Sequence, residues 1–362
     1  MSGNYENRIN EIRKIITSDD EAILITNEIN VGYFSMFHHS EGAMLITQSN
    51  AALLVDFRYI ESAEKYAACN VKCFSNGMIA GITELCKAEN INKIYAEASN
   101  LTLSRYNQYK KFFDKHKIEL DVSSKLDDTI ANIRVIKSDD EFKKILKAQQ
   151  IAEEAYFEIL NYIKPNVSER RIAVEFEYLM KQKGAERVSF DLITITGQKT
   201  SLPHGVPGND LISEGDFFTM DFGAVYDGYH SDTTRTVAVK SANYEMKEIY
   251  SIVLNAQLAA LEVIKSGVKC NEVDRIARNI INQAGYGKYF GHATGHGVGL
   301  EIHEKPLVSP KSETVLKSGM VITDEPGIYL PNKFGVRIED MLFVTDKGCK
   351  NFVTLPKELL IV

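Results

Sequence analysis

Features typical of membrane, secreted and nucleic-acid-binding proteins are scarce in this 362-residue chain. No apolar run reaches the length of about eighteen residues that a transmembrane helix needs, so none is predicted. Residues 1–6 lack the basic and then apolar pattern of a secretory signal peptide. The net charge of −7, from 42 basic and 49 acidic residues, argues against nucleic acid or an anionic membrane as the main partner.

Cysteine is scarce too. The five cysteines are scattered and odd in number, which does not suggest a disulfide framework. Cys69 and Cys73 invite a zinc interpretation, but no second cysteine pair or histidine lies near them in the sequence. Buried free thiols in a reducing cytoplasm are the simpler interpretation, so we expect a cytoplasmic protein.

The chain is long enough for two domains, each with its own core. Up to about residue 125, short apolar runs such as 22–26, 43–47 and 51–55 alternate with helix-like segments, which predicts a small α/β domain. A charge-rich stretch at 123–128 marks the predicted boundary, giving domains at 1–126 and 127–362. The second part mixes helices, the first capped by Ser138-x-x-Glu141, with β-hairpin patterns, so the fold class is α+β.

The most informative segment is residues 217–239, two β-prone runs joined by Asp227-Gly228. An Asp-Gly pair in this position is typical of a two-residue type I′ hairpin. If these two residues form the loop, Tyr226 pairs with Tyr229, and the register of the whole hairpin follows.

That register places two aspartates on one face. Asp221 lies opposite Thr234, and Asp232 is its diagonal neighbour, about 7–8 Å away at the backbone. A solvated polar face is the alternative interpretation. However, Asp221 sits in an apolar run, 217–222, that is typical of a strand buried on both faces. Two buried like charges need a cation between them, so the hairpin predicts a metal site.

Three further clusters lie in the last 80 residues. Residues 292–304 hold three histidines among glycines, Glu325 ends an apolar run before a turn, and Arg337 shares a strand face with Glu339. The glycines fit neither a dinucleotide-binding nor a P-loop pattern, and Asp221-Phe222-Gly223 lacks the catalytic loop of a kinase. A structural role remains open for each residue alone, but carboxylates with one imidazole suit a pair of divalent ions.

Taken together, these motifs resemble the methionyl-aminopeptidase-like metallopeptidases with the pita-bread fold, within them the Xaa-Pro aminopeptidase and prolidase branch. The matching C-terminal motifs are Pro203-His204-Gly205, Asp221-Phe222-Gly223-Ala224, Gly228-Tyr229, Ser231-Asp232-x-Thr234-Arg235-Thr236, Thr294-Gly295-His296-Gly297-Val298-Gly299, Glu325-Pro326-Gly327 and Arg337-Ile338-Glu339-Asp340. More loosely, Ser40-Glu41-Gly42 and Asp56-Phe57-Arg58-Tyr59 resemble the creatinase-like domain that precedes the pita-bread domain in this family. The resemblance implies that architecture here.

By this resemblance, five side chains bind two divalent ions: Asp221, Asp232, His296, Glu325 and Glu339. Asp232 and Glu339 would bridge the ions, Asp221 would complete one site, and His296 with Glu325 would complete the other. Because the ligands are mostly oxygen, we expect manganese, with cobalt or zinc able to substitute.

The resemblance also implies catalytic roles. Glu325 would accept a proton, His303 would hydrogen-bond the developing oxyanion, and His204 would contact the substrate near the scissile bond. Arg337 would orient Glu339 or hold a substrate carboxylate, and a purely structural ion pair is its alternative role.

The predicted reaction is removal of an N-terminal residue from peptides with proline in the second position, that is, Xaa-Pro aminopeptidase activity. The alternative is a Xaa-Pro dipeptidase (prolidase), which has the same metal centre. A creatinase-type amidinohydrolase and an inactive peptide-binding module are disfavoured because no ligand is missing, and the extra N-terminal domain disfavours a methionine aminopeptidase. Family members with this N-terminal domain are usually dimers, so we expect a homodimer.

Two positions depart from the family pattern. Ala293 stands where glycine or another residue usually precedes Thr-Gly-His, and Asp324 replaces an apolar residue before Glu325. By strand alternation, Asp324 should point away from Glu325 and the metals. We therefore expect tuning of the site and not its loss.

Overall fold

A computed structural model describes residues 2–38 and 41–362 of the chain, and Ser40 of the Ser40-Glu41-Gly42 match lies outside them. Clustering of backbone contacts divides the chain into two compact units, with the division between Arg134 and Val135.

The first unit is built on a mixed sheet with the strand order β4-β3-β2-β1-β5-β6. Its strands are β1 (Glu21–Ile25), β2 (Ala43–Ile46), β3 (Ala51–Val55), β4 (Asn70–Cys73), β5 (Lys93–Ala96) and β6 (Glu119–Asp121). Its helices are α1 (Ser2–Arg13), α2 (Glu28–Ser35), α3 (Ile60–Tyr66), α4 (Met78–Ala88), α5 (Leu103–Lys115) and α6 (Lys125–Arg134). The strands β1, β2 and β3 are buried along their whole length, as their uninterrupted apolar runs predict.

The division of the chain falls later than the boundary drawn after residue 126 from the sequence. The charged stretch at 123–128 opens the helix α6, and this helix packs into the first unit through Leu126 and Ile130. At its end, Arg134 donates a hydrogen bond from Nη1 to Oδ1 of Asn30 at 2.8 Å. Charge density here coincides with the start of a helix, and the domain bounds 1–126 and 127–362 stay a prediction.

The second unit combines four α-helices and three short 3-10 helices with thirteen short strands among its residues, all of which are described. The helices are α7 (Asp139–Ile159), α8 (Glu169–Gln182), α9 (Tyr244–Val263) and α10 (Cys270–Gln283). The strands are β7 (Arg187–Val188), β8 (Ile193–Thr196), β9 (Phe217–Phe222), β10 (Ala224–Tyr226), β11 (Tyr229–His230), β12 (Thr233–Ala238), β13 (Gly295–Gly297), β14 (Glu304–Val308), β15 (Val321–Asp324), β16 (Gly327–Leu330), β17 (Phe334–Arg337), β18 (Asp340–Val344) and β19 (Cys349–Asn351).

Local sequence chemistry sets the helix starts in this unit. Ser138 and Glu141 form the predicted capping box at the start of α7, because each side chain bonds the backbone N–H of the other residue. Ser168 and Asn243 cap α8 and α9 with one side-chain hydrogen bond each, which they accept from a backbone N–H in the first turn. Within the described residues, no helix is long and apolar enough to cross a membrane.

Two sheets of the second unit carry or flank the candidate metal ligands, and the pair β16-β17 carries Tyr329 and Arg337. One has the order β12-β9-β8, and the other has the order β14-β13-β15-β18-β19. Buried apolar side chains from α9, α10 and the strands β15, β16, β17 and β18 form a continuous core cluster. The strands that carry polar site residues are therefore held against a rigid apolar support.

Candidate metal centre

The turn at Asp227-Gly228 has the predicted geometry. Both residues have positive φ, 48° and 78°, as a type I′ turn requires. Tyr226 pairs with Tyr229, and Asp221 pairs with Thr234, so the register predicted from the turn is confirmed.

The hairpin is nevertheless interrupted beside the site. Strand β9 ends at Phe222 and β12 begins only at Thr233, so Asp232 lies in the break between strands. At Gly223 the two backbone segments of the hairpin approach so closely that an added Cβ would lie 1.8 Å from the Ser231 carbonyl oxygen. Glycine thus permits the local irregularity that leaves Asp232 buried, at 4% exposure, against the cavity.

The other candidate ligands come from three strands that are neighbours in the second sheet. His296 lies in β13, Glu325 follows β15 directly, and Glu339 directly precedes β18. Asp232, His296 and Glu339 each offer one ligand atom, and these atoms lie within 4.8 Å of one another. The five predicted metal ligands, with His204, His303 and Arg337, line one cavity of about 830 Å³.

The orientation of His296 suits a metal ligand. Its Nδ1 lies 3.1 Å from the Gly297 carbonyl oxygen, which can only accept, so Nδ1 carries the proton. The lone pair of Nε2 then faces the carboxylates, 3.5 Å from Oδ2 of Asp232 and 3.6 Å from Oε1 of Glu325. Burial lowers the pKa of His296 to about 4, so the ring is neutral at pH 7.

The carboxylates of the cluster repel one another. Burial raises the pKa of Asp232 and of Glu339 well above the usual range. The charges of Asp221 and Glu325 raise the pKa of Asp232 further, and the charge of Asp232 raises that of Glu339. Burial also raises the pKa of Glu325 to about 7, although the positive charge of Arg337 opposes the shift. Oδ1 of Asp221 is buried without a hydrogen-bond partner among the described residues. A crowded set of oxygens with one imidazole and an orphaned carboxylate oxygen fits a site for divalent cations.

Arg337 is the centre of a hydrogen-bond network behind the cluster. Its Nη2 donates to Oδ2 of Asp221 at 2.5 Å, and its Nε donates to Oγ1 of Thr234 at 3.0 Å. Thr234 in turn donates to Oε2 of Glu339 at 2.6 Å. The predicted orientation of Glu339 by Arg337 therefore runs through Thr234, and the direct ionic partner of Arg337 is Asp221.

The network continues through two residues to which sequence reasoning gave no role. Nη1 of Arg337 donates to Oη of Tyr329 at 2.8 Å, and that hydroxyl lies 2.9 Å from Nε2 of His292. Because Tyr329 accepts from Arg337, its proton is directed to His292, and Nδ1 of His292 donates to the Ala293 carbonyl at 2.8 Å. Burial, reinforced by the charge of Arg337, lowers the pKa of His292 to about 4, as this neutral tautomer requires.

The two remaining predicted residues lie at the cavity wall. His303 is exposed, and its ring centroid is 4.3 Å from that of His296. His204 lines the same cavity from the loop after β8. Asp324 is fully buried and does not line the cavity, whereas Glu325 does, in keeping with the predicted alternation.

Comparison with known proteins agrees with these observations. Residues 143–346 match metallopeptidase family M24, and residues 8–136 match the creatinase/prolidase N-terminal domain. A Xaa-Pro dipeptidase of Pyrococcus horikoshii is 42% identical over 356 residues, covering 97% of this chain and 98% of that protein.

Two solved structures show the same similarity. The Xaa-Pro dipeptidase from Bacillus anthracis matches with a TM-score of 0.95 and 42% identity, covering 99% of this chain and 100% of that one. The X-Pro aminopeptidase from Thermotoga maritima matches with a TM-score of 0.89 and 36% identity, covering 94% and 97%. The chain therefore belongs to metallopeptidase family M24 and is a hydrolase in which a creatinase-like N-terminal domain precedes a pita-bread domain.

Proposed function

We propose that this protein is a Xaa-Pro dipeptidase that depends on divalent metal ions. The observation that carries the proposal is the similarity, over nearly the full length of both chains, to proteins named Xaa-Pro dipeptidase from two different organisms. The motifs alone led us to expect an aminopeptidase first, and these similarities favour the alternative. The presence of every predicted ligand in one cavity argues against an inactive peptide-binding module.

Five residues would hold two divalent ions: Asp221, Asp232, His296, Glu325 and Glu339. Asp232 directly precedes β12 and Glu339 directly precedes β18, and their ligand atoms lie within 4.8 Å of each other and of that of His296, which supports a role for both in holding the ions. When bound, the ions would polarise the scissile carbonyl and supply an activated water molecule. The oxygen-rich donor set favours manganese, with cobalt or zinc as substitutes.

The protein's own groups would do the remaining work. Glu325 lies beside His296 at the cavity and would accept the proton of the attacking water. His303, exposed to the cavity, would donate a hydrogen bond to the oxygen that gains negative charge, and His204 would contact the substrate. Arg337 would hold Asp221 in place, since its hydrogen bonds are directed to protein groups.

Xaa-Pro aminopeptidase activity is the second candidate, and the similarity to the Thermotoga maritima enzyme favours it. The two activities differ in what may follow the proline: a dipeptidase requires a free carboxylate there, and an aminopeptidase accepts a further residue. A homodimer and a cytoplasmic location stay predictions.

The deciding experiment compares Leu-Pro with Leu-Pro-Gly after metal removal by a chelator and reloading with Mn²⁺. We expect kcat/KM for the dipeptide to exceed that for the tripeptide at least about tenfold, because losing a buried polar interaction costs about 1–3 kcal/mol. Equal or faster cleavage of the tripeptide would instead identify an aminopeptidase. Asp232→Asn is the control, and it should lower the Mn²⁺ content and both activities together.

A further inference from the structure

The cavity that holds the candidate metal centre is strongly acidic. Six carboxylates line it: Asp191, Asp221, Asp232, Glu304, Glu325 and Glu339. The lining residues with a permanent positive charge are Arg337 and Lys305. A dipeptide brings its own carboxylate into this cavity. That group must be paired with a cation, since an ionised carboxylate that leaves water without a partner is strongly disfavoured.

Arg337 is poorly suited to that role. It is 4% exposed, and its guanidinium donates to Thr234, Pro203, Tyr329 and Asp221. A substrate carboxylate would have to displace Asp221 from a buried ion pair, which would leave a candidate metal ligand without its support.

Lys305 has the position that Arg337 lacks. It lies in β14, the strand paired with β13, which carries His296. In that pairing His296 lies opposite Leu307, which is 53% exposed and lines the cavity, as does the exposed Lys305. Strand β14 thus offers the cavity an apolar side chain and an ammonium group two residues apart.

The neighbouring acid, Glu304, is paired with another lysine. Oε2 of Glu304 lies 2.9 Å from Nζ of Lys137, and both side chains of this pair are buried, at 7% and 1% exposure. A lysine ammonium on its flexible four-carbon stem offers three donors and can change partners when a substrate arrives.

We propose that Lys305 binds the free C-terminal carboxylate of a Xaa-Pro dipeptide and thereby selects dipeptides over longer peptides. The inference rests on the proposed dipeptidase function and names the group that would give it specificity. The proline ring would lie against Leu307, and the carboxylate that follows it would accept a charge-assisted hydrogen bond from Nζ. In a longer peptide the same position is a neutral amide, which gains little from the ammonium group.

The test compares Leu-Pro with its C-terminal amide, which has the same shape without the charge. For the Mn²⁺-loaded wild type we expect a preference for the acid, and in Lys305→Met we expect that ratio of kcat/KM values to fall about 10- to 100-fold, the range for a hydrogen bond between charged groups. Most of the change should be in KM for the acid. Lys305→Arg should restore much of the preference, and Lys311→Met, which alters an exposed lysine not among the lining residues of the cavity, should leave it unchanged.

The outcomes separate the two claims. If the wild type prefers the acid and Lys305→Met keeps that preference, or loses activity equally on both substrates, Lys305 does not bind the carboxylate, while the dipeptidase function stands. If the wild type cleaves the amide and Leu-Pro-Gly as fast as Leu-Pro, no carboxylate is selected, and both proposals are overturned.

Discussion

Arg337 and Asp221 form a largely buried ion pair across two strands of the second unit, with Nη2 of the arginine 2.5 Å from Oδ2 of the aspartate. The other carboxylate oxygen of Asp221 is left buried and without a hydrogen-bond partner among the residues described. One oxygen is thus fixed by the protein while the other is available to a cation. A metal ligand that is oriented by a supporting residue has this arrangement.

Replacing Arg337 should therefore weaken the metal site. Lysine keeps the charge but cannot reproduce the planar fork that reaches Asp221, Thr234 and Tyr329 at once. For Arg337→Lys we expect Mn²⁺ affinity, measured by calorimetric titration, to fall on the order of 10- to 100-fold. Arg171→Lys, in an exposed pair with Glu175, is the matched control and should bind Mn²⁺ as the wild type does. Unchanged Mn²⁺ affinity in Arg337→Lys would show that Arg337 does not support the metal site.

Tyr329 connects Arg337 to His292, and its hydroxyl should matter for stability. Tyr329→Phe leaves a buried donor and a buried acceptor unpaired, which we expect to lower the free energy of unfolding by about 1–3 kcal/mol in urea denaturation. Tyr244→Phe, at a position that is 82% exposed, should change it by less than about 0.5 kcal/mol. Equal values for the two variants would mean that the hydroxyl does not stabilise the network.

Gly295 precedes His296 at a point where the backbones of β13 and β15 approach closely. An added Cβ at Gly295 would lie 2.0 Å from the Thr323 carbonyl oxygen, whereas one at Gly291 would meet nothing within 4 Å. Gly295→Ala should therefore push β13 and β15 apart and destabilise the protein by about 1–3 kcal/mol or more. Gly291→Ala should be close to neutral. Thermal unfolding of the two variants checks the comparison, and a Gly295→Ala variant as stable as Gly291→Ala would contradict the described packing.

His292 should make the protein sensitive to acid. Its pKa is lowered to about 4, first by burial and then by the charges of Arg337, Arg278 and His204. A histidine that is neutral when folded takes up a proton more readily when unfolded. The contribution of His292 to the free energy of unfolding is therefore complete above pH 6.5 and is lost as the pH falls toward 4.

The corresponding experiment measures the free energy of unfolding between pH 7 and pH 4. Wild type should lose about 2–3 kcal/mol more than His292→Gln over this interval, because glutamine does not titrate. Parallel pH profiles for the two proteins would show that His292 does not have the lowered pKa.

Much of this site was predictable from sequence because its rules are local. An Asp-Gly turn fixes hairpin register, and period-two alternation then puts Asp221 and Asp232 on one face. The capping box at Ser138 is also a matter of four consecutive residues. The resemblance to the family extended this reasoning to His296, Glu325 and Glu339.

Other features depend on long-range packing that alternation cannot reveal. The strand periodicity of residues 335–341 shows which residues share a face with Arg337. It does not show which strand that face meets, so the ion pair with Asp221 is not predictable from it. Tyr329 and Thr234 are ordinary strand residues in the sequence, and nothing there shows which groups their hydroxyls bond. The boundary after residue 126 rests on charge density alone, which does not reveal that Leu126 and Ile130 of α6 are buried.

The central claim is that the five predicted ligands form a centre for two divalent ions, and metal stoichiometry tests it most directly. Protein stripped by a chelator, reloaded with Mn²⁺ and freed of excess ions should contain about two ions per chain by elemental analysis, as a two-metal hydrolase requires. In Asp232→Asn, where a proposed bridging carboxylate is lost, that number should fall to one or fewer. Two results would contradict the account. One is wild-type protein that retains no Mn²⁺ after reloading, and cobalt or zinc no better. The other is an Asp232→Asn variant that keeps the full wild-type number of ions.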